Sequence, residues 1–151
     1  MAKAALTAWS NFLGAHALAL RRIAERLKAA GAPPLDWYDV LLELDRAGGR
    51  LKIGELADRV VIAPYNMTRL LDRLEADGLL RRERSASDRR SAFAVLTEKG
   101  GDLRRKAWPI YERAILEVFA PLSEREAEAM TRTFSRVIAE LRGGTRGNEG
   151  G

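Results

Sequence analysis

Residues Ala63–Gly100 read APYNMTRLLDRLEADGLLRRERSASDRRSAFAVLTEKG, and this stretch decides the fold. Apolar residues recur every three or four positions from Pro64 to about Asp77. This spacing predicts an amphipathic helix with proline at its first position, where a missing N–H has no cost. Leu79–Arg84 and Ala92–Leu96 then read as two antiparallel strands joined by an arginine-rich turn. A helix followed directly by such a hairpin predicts a helix-turn-helix with a β-wing.

Upstream of this stretch, the sequence predicts three further helices and one short strand. A long helix over about Leu6–Ala30 is followed by a second over Asp36–Arg46 and a third over Ile53–Val60. Arg50–Lys52 is expected to form a very short strand that pairs with the wing. The apolar residues of the first helix form a heptad seam whose one polar member is His16.

Downstream, the sequence predicts two more helices and a tail. Thr97 is expected to cap a fifth helix over Glu98–Phe119, which should kink at Pro109 because proline removes a backbone hydrogen bond. Ser123 and the glutamate three residues later form a capping box that opens a sixth helix. The tail, residues 143–151, has nothing to bury and is expected to be disordered.

The predicted fold class is mainly α, with a winged helix-turn-helix, a small antiparallel β-wing and N- and C-terminal dimerisation helices. One domain should cover residues 1–142, with dimerisation helices at about 5–30 and 98–142 and the winged part at about 35–97. Three long apolar seams exceed what the winged part can cover, so we expect a two-fold homodimer with interleaved terminal helices. The alternative is a monomer in which these helices close on each other.

Composition favours a polyanionic partner and excludes several kinds of site. The formal net charge is +5 and most cations are arginines, although genomic base composition is an alternative source of the arginine excess. The chain has no cysteine and one histidine, so we expect no disulfide, no metal site and no thiol-based sensing. No apolar run approaches the ~20 residues that cross a bilayer, and the N-terminus lacks a signal-peptide pattern, so a cytoplasmic location is expected.

The exposed side of the helix at 64–77 is the predicted DNA-reading surface. Asn66 and Arg69 are residue types that read adenine and guanine edges, whereas Tyr65 and Thr68 can donate to phosphate. Arg73 extends this face as a further cation. The alternative is an ordinary solvated face on which the arginines pair with acidic residues of the same helix.

The turn of the hairpin is the second predicted DNA contact. Five arginines lie in or beside it: Arg81, Arg82, Arg84, Arg89 and Arg90. An arginine at a hairpin tip can enter a narrow minor groove, where the negative potential is enhanced. Asp88 cannot favour DNA itself, so we expect it to orient Arg90 through a bidentate pair. A solvated, purely structural loop is the alternative.

These motifs resemble those of MarR-type regulators. Leu56–Ala57, Thr68–Glu75 and Gly78–Leu79 look like the helix-turn-helix of that family, and Asp88–Arg90 followed by Leu96–Gly100 is similar to its wing signature, D-x-R…L-T-x-x-G. The resemblance extends over essentially the whole chain, including six helices in the expected order.

The resemblance implies a homodimer that binds a pseudo-palindromic operator in double-stranded DNA, usually as a repressor. Many members are released by small aromatic or phenolic anions. By the same resemblance, Arg90 is the arginine of the minor groove. Ala63 and Pro64 depart from the family, in which a serine-type cap is common at that point, so a cap-to-phosphate contact from residue 63 is in doubt.

A ligand pocket is predicted from one histidine and four aromatic residues. His16 lies one or two turns from Trp9 and Phe12, and the second helix, which starts with Trp37 and Tyr38, should pass close by. Together they could line an aromatic pocket in which His16 binds a carboxylate or phenolate. The alternative is a buried, hydrogen-bonded histidine among ordinary core aromatics.

The function predicted from sequence is therefore a ligand-responsive DNA-binding regulator. One alternative is a winged helix that binds proteins, or one that binds DNA constitutively without an effector. An enzyme is not expected, because the sequence shows no P-loop, no glycine-rich dinucleotide turn and no nucleophile–base pair. We therefore expect no catalytic residues and no cofactor.

Overall fold

The structure, a computed structural model, describes residues 1–61, 66–88 and 91–145. It contains six helices and three strands within those ranges: α1 (Ala2–Ala29), α2 (Leu35–Arg46), β1 (Arg50–Lys52), α3 (Ile53–Arg59), α4 (Met67–Ala76), β2 (Leu80–Arg84), β3 (Ala92–Leu96), α5 (Glu98–Phe119) and α6 (Glu124–Thr145). The three strands form one antiparallel sheet in the order β1-β3-β2. The predicted fold class, mainly helical with a small antiparallel wing, is confirmed.

The chain divides into two compact units, Met1–Ile115 and Leu116–Gly151. The first unit holds α1 to α4, the sheet and most of α5, and the second holds the end of α5 and α6. Helix α6 continues to Thr145, so residues 143–145 are helical, contrary to the predicted tail. The rest of that tail, residues 146–151, lies outside the described residues.

One apolar core joins α2, α3, α4 and the sheet. The side chains of α4 that the spacing predicted to be inside are all buried: Met67, Leu70, Leu71 and Leu74. They pack with Leu41, Leu44 and Leu56, each of which is fully buried. This burial fixes the rotation of α4 about its own axis, and so it determines which side chains face solvent.

Helix α4 ends where the sequence turns towards the wing. Gly78 has a φ of +72°, a left-handed conformation that glycine adopts without a steric penalty. The N–H of Leu79 then donates to the carbonyl of Leu74 at 2.9 Å. This reversal places β2 directly beside the end of the helix.

The start of α5 is joined closely to that same turn. Thr97 Oγ1 lies 2.6 Å from the carbonyl oxygen of Gly78 and accepts from the N–H of Gly100 at 3.1 Å, which confirms the predicted cap. A Cβ at Gly100 would lie 2.0 Å from the carbonyl oxygen of Leu79, so only glycine fits this contact. Helix α5 continues through Pro109, and the kink expected there stays a prediction.

The second unit contains the predicted capping box. The N–H of Ser123 donates to Glu126 Oε2 at 2.8 Å, and the N–H of Glu126 lies 3.4 Å from Ser123 Oγ. These reciprocal contacts define the start of α6.

None of the helices in the described part of the chain has the length and the apolar character of a membrane-spanning segment.

Candidate nucleic-acid interface

The exposed face of α4 carries the predicted DNA-reading side chains. Because positions 67, 70, 71 and 74 are buried, the outer face presents Asn66, Thr68, Arg69, Asp72 and Arg73 to solvent. Of the residues predicted to bind DNA, Tyr65, Arg89 and Arg90 lie outside the described residues. So do the predicted helix start at Pro64 and the departure at Ala63.

Arg82 of β2 binds two carboxylates of α4. Its backbone N–H donates to Glu75 Oε2 at 2.7 Å, and its guanidinium donates to Glu75 Oε1 from Nε at 3.2 Å and from a terminal nitrogen at 2.9 Å. The same guanidinium forms an ion pair with Asp72 at 2.7 Å. These contacts lower the pKa of Glu75, mainly through the side-chain hydrogen bond from Arg82, and raise the pKa of Arg82.

This cluster argues against the solvated-face alternative for α4. That alternative requires Arg69 and Arg73 to pair with acidic residues of their own helix, but Asp72 and Glu75 are bound by Arg82 instead. Within residues 1–61, 66–88 and 91–145, neither Arg69 nor Arg73 forms an ion pair. Arg69 and Arg73 therefore stand on the exposed face, while Asp72 and Glu75 of the same helix pair with Arg82.

The contacts of Arg82 were not predicted from the sequence, where this residue counted among the wing cations. The signal was available in the alternation of β2, where Leu80 is buried and Arg82, two residues on, shares its side of the strand. That side faces α4, whose last turn includes Glu75, seven residues upstream. The side chain of Arg82 therefore connects the wing to the helix, a contact that its place among the wing cations did not predict.

Two more arginines form contacts on the opposite face of the sheet. Arg81 and Arg50 both pair with Glu83, at 3.0 and 3.7 Å, and the guanidinium of Arg50 lies 3.7 Å from the centre of the Phe93 ring. These contacts connect β1, β2 and β3 across the sheet. Arg84, at the end of β2, is exposed and closest along the chain to the predicted wing tip.

The hairpin turn is closed by bonds around Asp88 and Ser91. The N–H of Ser85 donates to the carbonyl of Ser91 at 2.9 Å, and the hydroxyl of Ser91 donates to Asp88 Oδ2 at 3.0 Å. Asp88 is exposed, and its carboxylate and carbonyl both accept hydrogen bonds from Ser91, which shapes the turn. Its expected pairing with Arg90 involves a residue outside the described part of the chain and stays a prediction.

Three of the five predicted ligand-binding residues form a row along α1. The ring centres of Trp9 and Phe12 are 6.1 Å apart, and those of Phe12 and His16 are 6.0 Å apart. All three are exposed, Trp9 by 60%. The expectation that His16 is in a core is wrong for the single chain, because only the C-terminal end of the α1 seam, at Ile23 and Leu27, is buried.

The other two predicted ligand-binding residues, Trp37 and Tyr38, lie in the first turn of α2 and are more buried than the three on α1. Trp37 is partly buried against the main core, and Tyr38 is 1% exposed with its ring edge-on to Tyr111 at 4.8 Å. The Tyr38 hydroxyl is buried and has no hydrogen-bond partner among the described residues. Two further aromatic residues, Tyr111 and Trp108, lie at this place and were not predicted; their ring centres are 6.1 Å apart.

Burial raises the pKa of Tyr111, and the nearby charge of Asp39 raises it further.

A separate groove of about 490 Å³ lies along the first turns of α5, with Leu79, Lys99 and Leu103 among its walls. None of the five predicted ligand-binding residues lines that groove.

The sequence and the fold both match known regulators. A family model described as the MarR family matches residues 30–91. The HTH-type transcriptional regulator MhqR of Bacillus subtilis (strain 168) is 36% identical over 97 residues, which are 64% of this chain and 67% of MhqR. Alignments with curated regulators of that organism span between 58% and 67% of their length.

Two solved structures extend the comparison to most of the chain. Sco3205, a MarR family transcriptional regulator from Streptomyces coelicolor in complex with DNA, is 26% identical with a TM-score of 0.79, over 90% of each chain. BpsR of Bordetella bronchiseptica, whose DNA binding is regulated by 6-hydroxynicotinic acid, has a TM-score of 0.77 over 87% of this chain and 98% of BpsR. At 19% identity, that second likeness shows the fold alone.

The exposed cationic face of α4, the hairpin tied beside it and these similarities lead to one conclusion: the chain belongs to the MarR family of winged-helix, DNA-binding transcriptional regulators, which are not enzymes.

Proposed function

We propose that this regulator is a homodimeric repressor that binds a pseudo-palindromic operator and is released by a small aromatic or phenolic anion. The observation that carries the DNA-binding part is the exposed face of α4, where Arg69 and Arg73 stand beside carboxylates that Arg82 already neutralises. Cations placed in this way are available for guanine edges and phosphates.

Exposed apolar side chains support the homodimer. On α1 they are Leu6, Trp9, Phe12, Leu13 and Leu18, and on α6 they are Met130, Phe134, Val137, Ile138 and Leu141. Soluble monomers rarely expose contiguous apolar surface on this scale. A two-fold partner would cover both stripes with copies of the same surfaces, which is the commonest arrangement of soluble oligomers.

In the proposed complex, each protomer places α4 in a major groove. The two grooves lie roughly 34 Å apart, one turn of B-form DNA, on one side of the duplex. Arg89 and Arg90, with Asp88 shaping the turn, would bring the wing to the adjacent minor groove. The resulting contacts repeat about the two-fold axis, which is why the operator should be pseudo-palindromic.

A ligand would act by changing the spacing of the two recognition helices. It weakens operator binding only if it prefers an arrangement of the protomers in which these helices no longer match successive grooves. A 100-fold release needs about 2.7 kcal/mol of coupling. Candidate contacts are Trp9, Phe12 and His16 on α1 and Trp37 and Tyr38 on α2, and the regulation of BpsR by an aromatic acid supports this class of ligand.

The test of operator binding is selection of duplexes from a random pool by the full-length chain, followed by footprinting. We expect a recovered inverted repeat and a protected region longer than one helical turn. The logarithm of the affinity should fall steeply with the logarithm of salt concentration, about one unit of slope per phosphate contacted. Recovery of no preferred sequence together with a flat salt dependence would favour the alternative of a protein-binding winged helix.

The ligand part is tested with the recovered duplex and a panel of aromatic acids and phenols that includes 6-hydroxynicotinic acid and 2,4-dichlorophenol. We expect at least one compound to release the wild-type protein, and His16→Ala to reduce that response while operator affinity stays within a few-fold. If no compound releases the protein, the constitutive alternative without an effector is favoured. Loss of operator binding in His16→Ala would instead show that His16 has a structural role.

A further inference from the structure

A side chain of α2 binds the backbone at the point where the chain leaves α3. The carboxylate of Asp39 accepts a hydrogen bond from the N–H of Val61, with Oδ2 2.7 Å from the nitrogen. Val61 follows Val60, the C-cap residue of α3, and starts the connection to α4. The contact therefore joins two positions 22 residues apart, and its backbone partner precedes the first residue of α4, Met67, by six positions.

The two ends of this contact are held very differently. On one side, α2 is fixed in the core, because Val40 and Leu41, the residues that follow Asp39, are almost completely buried. On the other side, the Val61 side chain is 79% exposed, so its packing does little to fix the backbone there. A hydrogen bond to a charged acceptor is stronger than one between two neutral groups, so the bond to Asp39 is the main restraint on the backbone at Val61.

We propose that Asp39 is a positioning residue for DNA reading, which accepts the Val61 N–H and so fixes the direction in which α4 is presented to the major groove. The inference rests on the proposed operator binding. A reading helix has to be placed within about half an ångström for its base contacts to form, so a loosened entrance weakens specific binding first. Contacts to phosphate by flexible cations tolerate such a shift better, which separates this role from a general loss of fold.

The position of Asp39 also connects this entrance to the aromatic cluster of the first unit. Tyr38, the preceding residue, packs its ring against Tyr111, and the charge of Asp39 contributes to the raised pKa of that tyrosine. The first turn of α2 therefore contributes one ring to the aromatic cluster and one acceptor to the backbone that follows α3.

The experiment compares variants of Asp39 in the full-length protein. Asp39→Ala removes the acceptor, Asp39→Asn keeps an acceptor oxygen without the charge, and Asp39→Glu keeps the charge but moves the acceptor by one methylene. Asp36→Ala is the matched control, because this carboxylate is also on α2 and accepts from the N–H of Trp37, the next residue of the same helix, at 3.0 Å. Affinity is measured by fluorescence anisotropy with the selected duplex and with a scrambled duplex.

We expect Asp39→Ala to lose about tenfold in affinity for the selected duplex and less than twofold for the scrambled one. Asp39→Asn should stay within threefold of the wild type, and Asp39→Glu should bind less tightly than Asp39→Asn. Hydrogen exchange of the Val61 amide should accelerate in Asp39→Ala and stay protected in Asp39→Asn. Asp36→Ala should match the wild type in every measurement.

Three results would overturn the proposal: wild-type affinity of Asp39→Ala for the selected duplex, an equal loss on both duplexes, or unchanged exchange of the Val61 amide. If Asp39→Ala does not fold, the order of Asp39→Asn and Asp39→Glu decides, and a tighter Asp39→Glu contradicts the proposal. Failure of the operator proposal is distinguishable, because the wild type would then show no preference for any duplex while the exchange of Val61 still reports on the bond.

Discussion

The guanidinium of Arg82 lies between Glu75 and Asp72, with a terminal nitrogen 2.9 Å from Glu75 Oε1 and 2.7 Å from Asp72 Oδ1. Glu75 and Asp72 occupy adjacent turns of α4, whereas Arg82 lies in the second strand. One cation therefore connects the wing to the recognition helix and pairs with two negative charges on a surface that should face phosphate. Both effects favour DNA binding without a direct contact to DNA.

Arg82→Ala should weaken operator binding by about tenfold, for two reasons. It leaves the carboxylates of Glu75 and Asp72 unpaired, so that they repel phosphate, and it removes the contacts that connect the wing to α4. Its cost in folding stability should be only about 1 kcal/mol, since the participating side chains are about one-third to one-half exposed. Arg81→Ala is the matched control, because this neighbouring arginine pairs with Glu83 on the opposite face of the sheet.

The double variant Arg82→Ala with Glu75→Gln separates the two effects. Removing the unpaired charge at Glu75 should recover part of the lost affinity. The part that comes from the lost contact between wing and helix should not be recovered. Anisotropy with the selected duplex at two salt concentrations measures both. Equal affinities of Arg82→Ala and Arg81→Ala would show that the tie between wing and helix is irrelevant to DNA binding.

The Glu75–Arg82 contact also predicts a pH dependence of stability. Because the pKa of folded Glu75 is lowered from its ordinary value of 4.5, mainly by the hydrogen bond from Arg82, the contact stabilises the fold above that value. The contribution is lost as the pH falls through the lowered pKa and Glu75 becomes protonated. Urea unfolding of the wild type and Glu75→Gln should differ at pH 6, and the difference should shrink as the pH falls below 4.5 and through the lowered pKa, whereas a constant difference would contradict the assignment.

The fold was largely predictable because its signals are local. Spacing of apolar residues placed every helix, and the burial of Met67, Leu70, Leu71 and Leu74 in α4 follows directly from it. The helix caps were predictable for the same reason, because Thr97 and Ser123 each accept a hydrogen bond from the backbone N–H three residues further along the chain. Even the three-residue strand at Arg50–Lys52 was predicted, because it lies beside a hairpin that needs a partner on its free edge.

The site was less predictable because its contacts join distant parts of the chain. The pairing of Arg82 with Glu75 depends on which face of β2 turns towards α4, and the bond from Val61 to Asp39 joins residues 22 positions apart. The histidine of the α1 seam shows a different limit. An apolar heptad pattern identifies a surface to be buried, but it does not say whether the same chain or a partner buries it, so His16 was expected in a core and is exposed.

Gly100 provides a test of the joint between wing and α5. Gly100→Ala would bring a Cβ to 2.0 Å from the backbone oxygen of Leu79, and a backbone atom cannot move aside as a side chain can. We expect a loss of about 2–4 kcal/mol in the free energy of unfolding, measured by urea denaturation. Gly101→Ala is the control: its Cβ would meet only the flexible end of Arg105 at 3.3 Å, so it should be neutral or stabilise α5 by up to about 1 kcal/mol. Similar losses in both variants would contradict the close approach of α5 to Leu79.

The proposed dimer predicts that single charges on the α1 stripe separate the protomers. Leu13 is 45% exposed in the single chain, so Leu13→Asp should cost the isolated protomer little. It should nevertheless shift sedimentation at micromolar concentration from dimer to monomer, because an unpaired carboxylate would be buried at the interface. Arg22→Asp, at a charged and exposed position of α1, should leave the dimer intact. A wild-type chain that sediments as a monomer would refute the dimer itself.

Arg69 and Arg73 should differ in what they contribute to operator binding, because they lie one turn apart on α4 at different distances from its N-terminus. Arg69 is in the first turn of α4, which in the proposed complex reaches the base edges, so Arg69→Ala should cost about 1–3 kcal/mol on the selected duplex and relax the preference at one base position. Arg73 lies one turn further along the helix and in the proposed complex binds phosphate, so Arg73→Ala should weaken selected and scrambled duplexes alike and reduce the salt slope by about one. Repeating the duplex selection with each variant, together with a salt titration, distinguishes base reading from phosphate binding. Identical sequence preferences and salt slopes in both variants would mean that the two arginines do not divide these tasks.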